Sequence, residues 1–150
     1  NEMRLKVFTA LAVAVLMVGC LAVHPGADPL VVRAEQTETM ALATFDLVLR
    51  INQVNRSFWA TNTPGFAVFC NWLRVQTPYQ GTNVSRATKM MFDLADLKTF
   101  YKGAKTTTSS NALFTAILTL DLAVRQASAW QTIVTAPVVI PDHVPEPLPY

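Results

Sequence analysis

Charge is scarce in this chain. Asp, Glu, Lys and Arg make up 15% of the residues, where soluble domains carry about 25%. Twelve cations against ten anions leave a net charge of +2. That balance encodes no basic surface of the kind phosphate backbones require, so a nucleic-acid partner is excluded. Histidine is nearly missing: His24 and His143 lie towards the two ends. No His/Cys/Asp/Glu cluster has metal-ligand spacing, and Asp142-His143 beside Glu146 is only a weak surface grouping. The five glycines form no phosphate-cradling loop. Neither a Gly-x-Ser-x-Gly elbow nor a Cys-x-x-Cys-His haem attachment occurs. With these motifs goes the expectation of any cofactor, and the chain is expected to be non-catalytic. Strand alternation of useful length is also missing. Val138-Val139-Ile140 is short and flanked by proline, which cannot donate to a ladder.

What is present starts at the first residues. Arg4 and Lys6 precede thirteen uncharged residues from Val7 to Gly19, and Cys20 follows. A basic start before an apolar core of this length is the pattern that the secretion machinery reads. Met17-Val18-Gly19-Cys20 resembles the lipobox of bacterial lipoproteins. The resemblance covers residues 3–20 and implies cleavage before Cys20, whose thiol would then carry diacylglycerol. A second reading retains the segment, with Val7 to Val23 as a thin single-span anchor. In a third, the apolar run fills a core, which leaves the basic flank and the Cys20 end without a role. Cys70 sits in an aromatic stretch, Phe66-Ala67-Val68-Phe69-Cys70-Asn71-Trp72-Leu73, and reads as a small buried hydrophobe. A Cys20–Cys70 disulfide is the remaining option, and acylation of Cys20 would forbid it.

Residues 21–28 form a tether, with a turn at Pro25-Gly26. The body, 29–135, is expected to be an all-α, small antiparallel helical bundle of three long helices and one short one. Asp28-Pro29 reads as a helix start, since Asp caps free N–H groups and Pro suits the first turn. The first helix then runs to about Ala60, with Leu30, Ala34, Ala41, Phe45, Val48 and Trp59 on one stripe. Met40, Leu47, Ile51, Val54 and Phe58 lie beside it. Asn52 and Asn55 interrupt this face, as an exposed edge or as interhelical hydrogen-bonding groups. A short helix from Pro64 to Val75 follows, with Phe66, Phe69, Cys70 and Leu73 on one side and Trp72 off it. Residues 76–81 are expected to be a loop. The third helix spans about 82 or 83 to 102 on Val84, Ala87, Met91, Leu94, Leu97 and Tyr101, with Gly103 as a left-handed stop. A hydroxyl among residues 105–110 should cap the fourth, about 110–135, which buries Leu113, Ile117, Leu120, Val124, Ala127 and Val134. Asp93 and Asp96 share a helical side. They read as a solvated face paired with Arg86 and Lys89 rather than an acid–base couple.

The tail, 136–150, holds Pro137, Pro141, Pro145, Pro147 and Pro149, which favour an extended path. It is read as a free end, or as a strap or ligand for another protein. The expected function is that of an exported, membrane-anchored accessory or scaffold subunit on the periplasmic or extracytoplasmic face of the envelope. Its partners would be the membrane, through a lipid anchor or single span, and another envelope protein. Candidate contacts are Phe66, Phe69, Trp72, Pro141, Pro145, Pro147 and Tyr150, with Cys20 as the lipidation site. Small lipoproteins encoded by phages and prophages resemble this layout loosely, which implies an envelope or lysis-associated role as the alternative. A single-span accessory subunit of a larger membrane complex is another.

Overall fold

The computed structural model describes residues 26–136. The leader with Cys20 and the tail with Pro141, Pro145, Pro147 and Tyr150 lie outside the described residues. In chain order the elements are α1 (Pro29–Val54), α2 (Arg56–Asn62), α3 (Pro64–Arg74), β1 (Gln76–Tyr79), β2 (Thr82–Ser85), α4 (Arg86–Gly103) and α5 (Thr107–Thr135). The body is mostly helical, as its periodicity predicts.

α1 starts where the sequence says it should. Asp28 accepts a hydrogen bond from the Leu30 amide at 3.0 Å, and Pro29 takes the first turn. The expected run to Ala60 is interrupted at Asn55. Its backbone leaves the helical region (φ −149°, ψ 68°), and its Oδ1 accepts from the Phe58 amide at 3.3 Å. A short amide side chain offers the backbone a local alternative to the helix ladder, so α2 starts anew there. Trp59 closes the joint by donating its indole N–H to the Ile51 carbonyl at 2.9 Å.

The segment expected to be a loop and a helix start is an antiparallel hairpin. Gln76 pairs with Ser85, Thr77 with Val84, Pro78 with Asn83 and Tyr79 with Thr82. Gln80 (φ 45°) and Gly81 (φ 81°) form the two-residue turn. Two positive φ values in succession match the twist of a tight hairpin. The Gln80 amide is held by donating to the Tyr79 hydroxyl at 2.8 Å and to Asp96 Oδ2 at 3.3 Å. α4 therefore begins at Arg86, capped by Ser85, which accepts from the Thr88 amide. Val84 belongs to a strand instead of the α4 stripe.

At the other end of α4, Gly103 is still helical. The terminating residue is Ala104, in an extended conformation (φ −148°), whose N–H donates to the Phe100 carbonyl. No left-handed glycine is needed because the chain turns at once into the Thr106 cap of α5. Thr106 and Ser109 satisfy each other's backbone amides in a capping box, and buried Ser109 also donates to the Ala104 carbonyl. The expected hydroxyl cap is thus in place, and the helix starts at Thr107, three residues earlier than expected.

α1, α3, α4 and α5 enclose one core. It comprises Ala34, Ala41, Phe45 and Val48 of α1, and Phe66, Phe69, Cys70 and Leu73 of α3. Ala87 and Leu94 of α4 join Leu113, Ile117, Leu120, Ala123, Val124 and Ala127 of α5. The bundle is not antiparallel throughout. Asp28 at the start of α1 meets Tyr101 and Lys105 beside the start of α5. At the far end, Phe66 of α3 links Trp59, just beyond α1, to Trp130 late in α5. α1 and α5 therefore run in the same direction, with α4 opposed to both.

Candidate interaction surface

Phe66 and Phe69 project from α3 into the core and are buried. Phe66 packs edge-on to Trp59 at 5.4 Å and against Trp130 at 6.2 Å between ring centroids. This cluster welds the α2–α3 corner to α5, and Gly65 makes the approach possible. A Cβ placed there would lie 2.7 Å from Trp130 Cη2. Of the three aromatic contact candidates on this helix, Trp72 alone is exposed, at 37%. Its ring stacks on Phe69 at 5.9 Å, and the Arg86 guanidinium lies 4.8 Å from its centroid. The resulting platform pairs an aromatic face with a fixed cation.

Cys70 is buried, with its thiol 3.7 Å from the Val48 carbonyl. Burial pushes its pKa up to about 11, and nearby Arg74 opposes this only in part. Those surroundings suit a packing residue and disfavour a thiolate nucleophile. Asn52, one of the two polar interruptions of α1, is buried at 3% exposure and accepts from Arg74 Nη1 at 2.6 Å. Arg74 Nη2 also donates to the Leu49 carbonyl at 3.0 Å. The interhelical bond weighed for Asn52 is present, and Arg74 supplies it.

The carboxylates are tied into structure. Lys89 bonds Asp93 at 2.5 Å, and the Tyr79 hydroxyl donates to Asp96 at 2.7 Å, which raises the tyrosine pKa. Arg86, one of the two cations expected beside this pair, sits over Trp72 instead. Along the α1–α4 seam, Lys98 reaches Glu38 at 3.0 Å and Glu35 at 3.9 Å, and Lys102 reaches Glu35 at 3.4 Å. Asp28 accepts from Lys105 at 2.7 Å and from Tyr101 at 3.0 Å. The Lys105 hydrogen bond is the main reason the Asp28 pKa falls to about 2.

Between α4 and α5 runs a shallow groove of about 680 Å³. Met90, Leu97 and Leu120 contribute its apolar lining, and Asp93, Asp96, Asn111 and Thr115 its polar lining. Among the described residues no group of three or more His, Cys, Asp or Glu side chains is placed to hold a metal ion. α5 is long and apolar enough to cross a membrane, by length and composition.

Comparison with known proteins finds no matching family model, no similar curated protein and no similar solved structure.

Proposed function

We propose that this chain is a non-catalytic, exported protein tethered to the membrane, serving as an accessory or scaffold subunit at the cell envelope. The observation that carries the reading is Arg4 and Lys6, the uncharged run Val7–Gly19 and then Cys20. That order of cation, apolar core and cysteine is what export and acylation require. The helical body supports the reading as a rigid element, its helices locked by one core and by the Asp28–Lys105 and Glu38–Lys98 pairs. Trp72 with Arg86 is the exposed aromatic contact for an envelope partner. An aromatic ring backed by a cation is the kind of anchor that interfaces concentrate. The intact mass of protein extracted from native membranes tests the tether. A chain beginning at an acylated Cys20 is the expected result, and a soluble, uncleaved chain would overturn it. Crosslinked pull-down with Trp72→Ala tests the contact, which predicts loss of the partner with the fold intact.

A further inference from the structure

α5 carries two apolar stripes, and only one faces the core. Leu113, Ile117, Leu120, Val124 and Ala127 are buried, while Phe114, Leu118, Leu122 and Ile133 are exposed, Leu122 at 70%. At about 100° per residue the first three exposed positions lie within a quarter-turn, and Ile133 returns three turns beyond Leu122. A matching flank runs along α1. Arg33, Met40, Leu47 and Val54 recur at seven-residue intervals, which keeps them on one side of the helix. The Arg33 guanidinium lies 5.9 Å from the Phe114 ring centroid, so this flank adjoins the exposed stripe of α5. Because α1 and α5 pack together and run in the same direction, the two helices continue alongside each other beyond this contact.

Four threonine hydroxyls along the solvent side of α5 are already satisfied. Thr115, Thr119, Thr132 and Thr135 each donate the hydroxyl to the carbonyl four residues back, at 2.7–3.1 Å. Hydroxyls bonded in this way tolerate apolar surroundings without water. The carboxylate here, Asp121, is paired with Arg125 at 2.9 Å. Glu35, Glu38, Asp93 and Asp96 are held along α4 instead. Arg33 has no carboxylate within ion-pairing distance among the described residues.

We propose that this joint α1–α5 face rests on an anionic lipid bilayer, with the body lying flat. An amphipathic helical surface with a cation at its edge binds in the headgroup plane. Crossing is disfavoured because 33% of the most apolar stretch of α5 is buried in the body. Leu113, Ile117 and Leu120 would have to leave the core first. The charge pattern favours lipid over a second copy of the chain, since Arg33 finds unpaired anions in a phospholipid surface, whereas the carboxylate on an identical face, Asp121, is already held by Arg125. The proposal relies on the tether reading only for bringing the body to a membrane.

The test recruits the full chain, through an added polyhistidine tag, to vesicles of phosphatidylcholine and phosphatidylglycerol doped with nickel-chelating lipid. Recruitment is then independent of Cys20, so failure of the tether appears in the intact mass and leaves this measurement unaffected. Hydroxyl-radical footprinting should show Met40, Phe114 and Leu118 protected several-fold on vesicles. Phe92 and Phe100, exposed on α4, should react as they do in solution. A Leu118→Glu/Leu122→Glu variant with unchanged circular dichroism should lose the protection. Equal reactivity of all these sites on vesicles and in solution would overturn the proposal. So would protection of Met40 and Phe114 without vesicles in a chain that sediments as a dimer, which would assign the face to a second copy.

Discussion

Replacing Arg74 with methionine removes the partner of a buried amide. Asn52 Oδ1 receives Arg74 Nη1 at 2.6 Å, and the same guanidinium reaches the Leu49 carbonyl at 3.0 Å. In Arg74→Met the amide oxygen stays buried at 3% exposure with nothing to accept. An orphaned buried acceptor costs about 1–3 kcal/mol, and a hydrogen bond from a charged donor contributes about 1.5–3 kcal/mol. Arg74 is only half-buried, so water recovers part of this, and a net loss of about 2 kcal/mol is expected. For a chain of this size that lowers Tm by roughly 4–8 °C. Asn52→Leu alone should cost less, about 1 kcal/mol, because the half-buried guanidinium keeps the Leu49 carbonyl and solvent. The double variant Asn52→Leu/Arg74→Met replaces the polar pair with an apolar pair of similar bulk and should recover most of the loss. The assay is urea unfolding of all four proteins followed by far-ultraviolet circular dichroism. A coupling of about 1 kcal/mol or more is expected, as for contacting residues. Strict additivity, or an Arg74→Met penalty below about 0.5 kcal/mol, would refute the reasoning.

Gly65→Ala should destabilise despite its helical setting. The new Cβ meets Trp130 at 2.7 Å, an overpacking cost of about 1–3 kcal/mol that exceeds the gain of about 0.5–1 kcal/mol from removing a helical glycine. A rise in Tm with unchanged Trp130 near-ultraviolet signals would contradict this. Cys70 should resist maleimide at neutral pH in the folded chain and react once denaturant is added, because burial holds its thiol pKa at about 11. Fast native labelling would show the site to be open. Asp28 has a folded pKa lowered from 3.8 to about 2, so its contribution is present above pH 3.8 and is lost as the pH falls towards 2. The Tm of Asp28→Asn should therefore vary less with pH across that interval than the parent's, and parallel curves would remove Asp28 from the account.

Much of the helical body was legible because side-chain period and burial coincide where helices pack around a single core. Every inner position expected for the fourth helix from Leu113 to Ala127 is buried, as are Phe66, Phe69, Cys70 and Leu73 of α3. The hairpin was not legible, since Thr77-Pro78-Tyr79 and Thr82-Asn83-Val84 lack apolar alternation. The pairing is stabilised from outside, by Tyr79 against Phe92 and Asp96 of α4. The break at Asn55 was hidden for a similar reason. Apolar residues continue through it at helical spacing, and only the backbone conformation shows that the asparagine ends one helix and caps the next. The surface candidates divided likewise. Trp72 was set apart because it fell off the apolar stripe of its helix, whereas the second stripe of α5 is one that a wheel drawn for a single buried face leaves out.

By itself the sequence determined the local terms: the Asp28–Pro29 start of α1, a hydroxyl cap for α5, and apolar stripes that each helix must bury. These depend on neighbours within a few residues and on the 3.6-residue turn. Only the tertiary structure decided which stripes meet, that α1 and α5 run the same way, that Arg74 answers Asn52, and that Phe114, Leu118 and Leu122 stay uncovered. Those outcomes join residues far apart in the chain, and they depend on how whole surfaces fit around one core, which no local pattern encodes.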